Sequence, residues 1–332
     1  MRKIFRTFLK TLLSILLMVM LVLIGSSIYH HKEIRNDKAE YAEFLGKDFK
    51  AIESNFGKFR YLDIGDGEVT LVYRGGLTTP SFSLDVLPLA RELSQNYRIL
   101  TIEPLGYNLS DQPSEKRTLD QINREFNSVV NLLAQNEKIV LINHSISALY
   151  SLDYVKEYPE NIVGIINIDG SRVSIADKAP ESSKHLTPML INKVGFLRLI
   201  LSNQKLTDFY GFTYMLESMS GKYDEELKKQ IINVNKWAYW QQSMIGYLEE
   251  ASVNTYQVKD EHYPNDMPVL SLVASKTLRQ DSDWIEEQKQ VFSNTAIQAV
   301  KVVDGEHYLH HTSTDEVLAE INRFMRENSQ SY

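Results

Sequence analysis

A serine stands at the junction of a strand-like segment and a helix-like segment in the middle of the chain. Residues 138–143 form an apolar run, and Ser145 follows directly before a helical pattern. A sharp turn between strand and helix exposes a serine hydroxyl, so that it can act as a nucleophile. The next amide, that of Ile146, would then begin a helix and stabilise developing negative charge. Asn143 and Ser147 occupy the places where such a turn usually has glycines, and a plain helix-capping role for Ser145 is the alternative.

A histidine-containing loop near the C-terminus could supply the base. It follows the strand-like residues 297–303 and contains His307, His310 and His311. A histidine placed after the last strand can accept the proton of a nucleophilic serine, and we assign this role to His307. The alternative is a solvated histidine-rich loop. Metal-ligand spacing is not evident elsewhere, so we expect no metal and no cofactor.

A glycine pair supplies a second candidate for binding negative charge. Gly75 and Gly76 follow the strand-like residues 69–73. A glycine turn at this point exposes a backbone N–H group, which we assign to Leu77 as the second oxyanion donor. A phosphate-binding loop is excluded because no Gly-Lys-Ser/Thr sequence follows.

Five segments, in this order, resemble those of the α/β-hydrolase superfamily over residues 57–332. They are Gly75-Gly76, residues 103–111, residues 143–147, residues 167–170 and residues 305–310. The resemblance implies a serine hydrolase with a helical cap over its active site. Relatives that open epoxides or remove halogens are disfavoured, because they need a carboxylate nucleophile where this chain has Ser145.

The resemblance also implies an acid that orients His307. The family usually places it shortly after the strand that corresponds to residues 269–273. Asp281 and Asp283 lie in the longer loop that follows here. We favour Asp281, because it keeps the usual order of serine, acid and histidine. Asp169, after the preceding strand, is the alternative acid, used at that position by some members.

The order of elements indicates an α/β fold, the α/β-hydrolase fold, with a mostly parallel sheet and helices on both faces. Residues 59–64 and 69–73 are expected to form a hairpin, and residues 30–55 a juxtamembrane helix or stalk. No strand pattern is evident between residues 172 and 266, which predicts a helical cap insertion. The predicted divisions are an anchor at 1–35, the core at 36–171 and 267–332, and the cap at 172–266.

The N-terminus predicts a membrane anchor. Four cations and no acid lie in the first ten residues, and an apolar run covers residues 8–28. As a helix this run is about 31 Å long, which matches a bilayer core of about 30 Å. A cleaved signal peptide is the alternative. The positive-inside rule predicts a single-pass protein with its N-terminus in the cytoplasm and its catalytic body outside the cell.

Composition excludes several other classes. The 332 residues are 43% hydrophobic and 24% charged, with a formal net charge of −7 and no cysteine. These values exclude a mainly disordered chain, a disulfide scaffold and a cysteine nucleophile, and they disfavour a nucleic-acid partner.

The sequence therefore predicts a membrane-anchored serine hydrolase that cleaves a small-molecule ester, thioester or small amide through Ser145, His307 and an aspartate. The alternative function is a non-catalytic, surface-anchored binding protein that retains the fold.

Overall fold

The computed structural model describes residues 2–173 and 186–331. Within this part of the chain, eight strands form one sheet. They are β1 (Phe49–Ser54), β2 (Gly57–Ile64), β3 (Val69–Arg74), β4 (Arg98–Glu103), β5 (Lys138–His144), β6 (Ile162–Ile168), β7 (Val269–Ala274) and β8 (Gln298–Val303). Their order across the sheet is β1-β2-β4-β3-β5-β6-β7-β8. The pairs β1–β2 and β2–β4 are antiparallel, and all other neighbours are parallel.

The described residues also form fourteen α-helices. They are α1 (Arg2–Leu45), α2 (Phe82–Leu93), α3 (Leu119–Ala134), α4 (Ser147–Glu157), α5 (Leu186–Lys193), α6 (Phe196–Leu201), α7 (Gln204–Phe209), α8 (Phe212–Glu217), α9 (Glu225–Ala238), α10 (Gln242–Gln257), α11 (Ser275–Gln280), α12 (Trp284–Lys289), α13 (Leu309–Thr312) and α14 (Thr314–Glu327).

Parallel pairing places the candidate residues at one edge of the sheet. The central strands β5 and β6 are apolar because they are covered on both faces, which is typical of parallel sheets. The carboxyl ends of β5, β6 and β8 meet at this edge and lead into the segments that contain Ser145, Asp169 and His307. Sites in α/β sheets form at such an edge.

One local prediction is wrong, and another is confirmed only in part. The expected hairpin of β2 and β3 does not exist, because β4 lies between them, antiparallel to β2 and parallel to β3. The expected juxtamembrane helix or stalk at residues 30–55 is helical in its first part, which continues α1. Its last part is β1, which pairs with β2, so the segment is not a helix throughout.

Among the described residues, the six helices α5 to α10 lie between β6 and β7, and we call them the helical insertion. Its described part contains no strand, as predicted. Helix α9 starts at Asp224, whose side chain accepts a hydrogen bond from the amide of Leu227 at 2.8 Å. Helix α10 joins the sheet domain through Ser243, whose hydroxyl donates to the Gly106 carbonyl at 2.6 Å.

The described residues contain two hydrophobic cores. The first lies on both faces of the sheet and includes strands β3 to β7 with helices α3, α4 and α14. The second joins the end of α1, helix α9 and helix α2, and includes Tyr41, Leu84, Val234 and Trp237. Helix α1 is therefore packed against both the insertion and the sheet domain by its last turns. Its residues 3–24 are almost all exposed, and the helix is long and apolar enough to span a membrane.

Candidate active site

Ser145 occupies a strained turn directly after β5. Its φ is +56°, a left-handed conformation that is uncommon for a residue other than glycine. Backbone hydrogen bonds hold it there: its amide donates to Ile168 at 3.2 Å, and its carbonyl accepts from Ala148 at 3.1 Å and from Ser171 at 3.0 Å. The turn leads into α4. It is therefore the predicted sharp turn between strand and helix, an arrangement called a nucleophile elbow, or elbow for short.

The residues that replace the two expected glycines are hydrogen-bonded into the structure. Asn143 donates from its side chain to Asn167 at 3.0 Å and accepts from the Ser151 hydroxyl at 2.6 Å. The Ser147 hydroxyl donates to the carbonyl of Gly75 at 2.6 Å. Each side chain therefore has a buried polar partner that compensates for its loss of hydration.

The glycine pair approaches the elbow closely. A Cβ atom added to Gly76 would lie 2.8 Å from Nδ1 of His144 and 3.2 Å from Cβ of Ser145. A side chain at this position would therefore push the loop away from Ser145. Leu77 and Ile146 line the same small cavity of about 50 Å³ beside the turn, so the two assigned oxyanion donors belong to segments that adjoin each other.

His307 joins the serine to an aspartate. Its Nε2 lies 3.0 Å from the Ser145 hydroxyl, and its Nδ1 lies 2.7 Å from Oδ2 of Asp169. The Asp169 side chain is fully buried, whereas that of His307 is 45% exposed. If Nδ1 donates to the carboxylate, Nε2 is free to accept from the serine hydroxyl, which is the tautomer that proton abstraction requires.

Asp169 is held in place by the elements on either side of it. Its Oδ1 accepts from the amide of Ala274 at 2.8 Å, and its Oδ2 accepts from the Thr277 hydroxyl at 2.6 Å. Ala274 is the last residue of β7 and Thr277 lies in the helix that follows it, so the end of β7 and the start of α11 support Asp169.

Asp281 has a different environment, so the structure does not support the preferred assignment from sequence. Its Oδ2 accepts from Arg172 at 2.7 Å. The segment after β7 folds into α11, and residue 281 lies at the far end of that helix. Asp283 precedes α12. The residue beside His307 is Asp169, which sequence analysis kept as the alternative acid.

His310 and His311 are buried, which excludes the solvated-loop interpretation for them. Asp85 of α2 contacts both, at 3.0 Å from His310 Nε2 and 2.8 Å from His311 Nε2. Burial alone would raise the pKa of Asp85, but interactions with the two histidines hold it well below its usual range. Burial lowers the pKa of His310 despite the opposing effect of Asp85.

A potential metal-ligand set lies behind the site. Asp85, His144 and His310 each offer a ligand atom, and these atoms lie within 4.8 Å of one another. Hydrogen bonds already occupy part of this set, since His144 Nε2 donates to the His307 carbonyl at 3.1 Å and Asp85 is bound by histidines.

Sequence reasoning missed Asp85, because nothing in the local sequence relates α2 to a loop more than 220 residues away. Thr277 could have been suspected, because it lies where the family usually has its acid.

A larger cavity of about 270 Å³ opens beside His307, between the sheet edge and the helical insertion. The sheet domain contributes Thr78, Tyr308 and their neighbours, and the insertion contributes residues of α8 and α9. Tyr239, which follows α9, also lines this cavity, and burial raises the pKa of its hydroxyl.

Comparisons with known proteins support the fold. Solved structures of similar shape include the Cif epoxide hydrolase from Acinetobacter nosocomialis, with 13% identity, 91% of this chain and 96% of that chain covered, and a TM-score of 0.64. They also include a serine hydrolase of carbazole degradation, CarC, with 10% identity, 84% and 98% coverage, and a TM-score of 0.56. The chain therefore has the α/β-hydrolase fold, as predicted.

Sequence relatives are distant. An uncharacterized protein, YbdG, from Bacillus subtilis is 22% identical over 95% of both chains. A cis-3-alkyl-4-alkyloxetan-2-one decarboxylase from Shewanella oneidensis is 24% identical over 39% of this chain and 41% of its own length. No family model matches the sequence.

Proposed function

We propose that the protein is a serine hydrolase that cleaves an ester, thioester or small amide through an acyl-enzyme. The observation that carries this proposal is the continuous chain of hydrogen bonds from Ser145 through His307 to the buried Asp169, with lengths of 3.0 and 2.7 Å. In this arrangement Ser145 is the nucleophile, His307 the base and Asp169 the group that fixes the histidine tautomer. The fold and the fold neighbours support hydrolysis as the reaction class.

The reaction proceeds in two halves. His307 accepts the proton of Ser145 as the serine oxygen bonds to the carbonyl carbon, and the same proton then passes to the leaving alcohol, thiol or amine. Water next attacks the acyl-serine ester, with His307 accepting a proton from it, and the acid is released as Ser145 regains its proton. The amides of Ile146 and Leu77 are proposed to hold the negatively charged oxygen in both halves.

The identity of residue 145 favours acyl transfer over the chemistry of several fold neighbours. Epoxide opening of the family type needs a carboxylate nucleophile, whereas this elbow holds Ser145. A hydroxyl activated by a neutral histidine is suited to attack on a carbonyl carbon.

We also propose that α1 anchors the protein in a membrane through residues 8–28, with the four N-terminal cations in the cytoplasm and the catalytic body outside. The exposure of the side chains in this run supports the anchor, because a core helix would bury them.

A fluorophosphonate probe tests the enzyme directly, because it reacts with activated serines. The detergent-solubilised full chain should be labelled, Ser145→Ala should not be labelled, and His307→Ala should be labelled far more slowly. Ser282→Ala is the control, since Ser282 is another exposed serine and should not change labelling. Failure to label the folded wild type would favour the non-catalytic binding protein.

A further inference from the structure

The helical insertion carries an exposed apolar patch on its short helices. The patch consists of Leu190, Phe196, Leu206, Phe209 and Tyr210, from α5, α6, α7 and the turn after α7. Phe209 is 80% exposed, Leu190 58% and Tyr210 52%. Water-exposed apolar side chains concentrated in one short segment often mark a binding surface.

Contacts with α1 place this segment beside the end of the apolar run. The Ser27 hydroxyl donates to the carbonyl of Lys193 at 3.2 Å. Gly195 faces the same turn of α1 so closely that an added Cβ would lie 2.6 Å from Cβ of His30 and 3.1 Å from the carbonyl oxygen of Ser26. The loop between α5 and α6 therefore lies at the level of residues 26–30.

That level is a membrane–water boundary if α1 spans the bilayer. The apolar run ends at Ile28, and Tyr29 follows it, where an aromatic side chain suits the headgroup region. A bilayer with a core of about 30 Å has headgroup zones that bring the total to about 40–45 Å. The short helices begin within such a zone. Two exposed lysines, Lys193 and Lys205, accompany the patch and suit anionic headgroups.

The same helices lead to the catalytic cavity. Gly211, with φ +79°, turns the chain from α7 into α8. Phe212, Tyr214 and Met215 of α8 line the 270 Å³ cavity that contains His307. Tyr214 is 61% exposed and thus lies at the mouth of this cavity.

From these contacts we infer that the apolar patch rests in the outer headgroup zone of the membrane that α1 spans, and that the site takes its substrate, a long-chain acyl ester, from that membrane. The substrate part of this inference rests on the proposed hydrolysis, and the position of the patch rests on the proposed membrane span of α1. A substrate dissolved in the bilayer reaches the cavity along α7 and α8 without crossing water.

Spin labelling tests the position of the patch, independently of activity. The chain has no cysteine, so Leu206→Cys and Phe209→Cys each give one labelled site in the full-length protein. Leu132→Cys is the matched control, because Leu132 is 55% exposed on α3 of the sheet domain. In vesicles of phosphatidylethanolamine and phosphatidylglycerol, labels at 206 and 209 should collide more with oxygen than with a water-soluble nickel complex. The label at 132 should do the opposite, and a label at 209 that behaves like the one at 132 would overturn the inference.

Kinetics test the substrate. The ratio of kcat/KM for p-nitrophenyl palmitate in those vesicles to kcat/KM for p-nitrophenyl acetate in water should fall about tenfold in Leu206→Ser and Phe209→Ser. Leu132→Ser should keep the wild-type ratio. An unchanged ratio in both patch variants would overturn the membrane route. If the wild type hydrolyses neither ester, the substrate part of the inference fails while the labelling result stands, and the fluorophosphonate probe separately decides the proposed function.

Discussion

The two hydrophobic cores of this protein have different tasks. The core around the sheet holds three groups within hydrogen-bonding distance of each other, and Asp169 at its centre is fully buried with amide and hydroxyl partners. The core between α1 and α9 holds one element against another, and its neighbouring helices α5 to α8 leave large apolar side chains exposed. Catalysis needs the precise positioning that the first core provides, because a small displacement of a catalytic group lowers the reaction rate strongly. The proposed attachment of the helical insertion to a membrane surface does not need such precise positioning of side chains.

Substitutions in the two cores should therefore have different effects. The side chains of Asp169 and His307 in the first core are held by hydrogen bonds on both sides. A single substitution at either residue should therefore affect the reaction with little effect on the remaining fold. In the second core, α1 packs against α9 of the insertion through apolar side chains. Ion pairs in the described residues add to this contact, and the pair of Arg198 with Asp37 is more buried than that of Lys229 with Glu40. A substitution there should instead loosen the insertion.

The largest expected effect belongs to Asp169 in the first core, the proposed acid. Asp169→Asn should lower kcat for a short p-nitrophenyl ester by about 10⁴-fold, because an amide stabilises the wrong histidine tautomer. The shape of the side chain is unchanged, so circular dichroism should show a folded protein.

Asp281→Asn is the matched control, since the Asp281 carboxylate contacts Arg172. It should retain kcat close to that of the wild type. A large loss in Asp281→Asn with activity kept in Asp169→Asn would restore the assignment that chain order favours.

The sequence predicted more of the sheet core than of the core between α1 and α9. The apolar runs of the sheet and the amphipathic pattern of α3 predicted those elements nearly to the residue, because buried parallel strands and surface helices have distinct periodicities. Ser145 and His307 followed from their positions next to such elements. The order of strands did not, since β4 enters between β2 and β3 without a local signal.

The acid could not be chosen from sequence because its position depends on the fold of a loop. A free loop after β7 could have returned Asp281 to the histidine. The actual chain forms α11 and places Thr277 against Asp169. The docking of α1 was missed for a similar reason: Tyr41 looks like one polar residue of a stalk, yet it is fully buried and its hydroxyl lies 2.7 Å from that of Ser81.

A smaller effect is expected from the link between α1 and the insertion. Arg198 of α6 forms an ion pair with Asp37 and donates to Nδ1 of His30 at 3.1 Å. Its side chain is 4% exposed, so Arg198→Ala leaves a largely buried carboxylate unpaired, at a cost of about 3–5 kcal/mol. Hydrogen exchange should become faster in α6 and α9 and remain unchanged in β5 and β6.

Two further variants isolate the cause of that effect. Lys289→Ala removes the exposed pair with Glu286 and should change stability by less than about 1 kcal/mol. Combining Arg198→Met with Asp37→Leu removes both charges and should restore most of the protection in α6. Equal loosening of the sheet by Arg198→Ala would contradict the separation of the two cores.

The smallest expected effect is a loss of stability in acid that starts in the first core. His144 is fully buried, and burial, followed by the nearby His310 and His307, lowers its pKa well below the usual value of 6.5. Below about pH 6.5 the unfolded chain binds a proton at this residue that the folded protein does not bind, so the free energy of unfolding decreases as the pH falls. The decrease should reach about 2 kcal/mol between pH 7 and pH 5, measured by urea unfolding in detergent.

His144→Gln should weaken this pH dependence, whereas His262→Gln, at an exposed position, should preserve it. Hydrogen exchange at acidic pH should increase in β5 before α9, and the reverse order would show that acid acts on the second core instead.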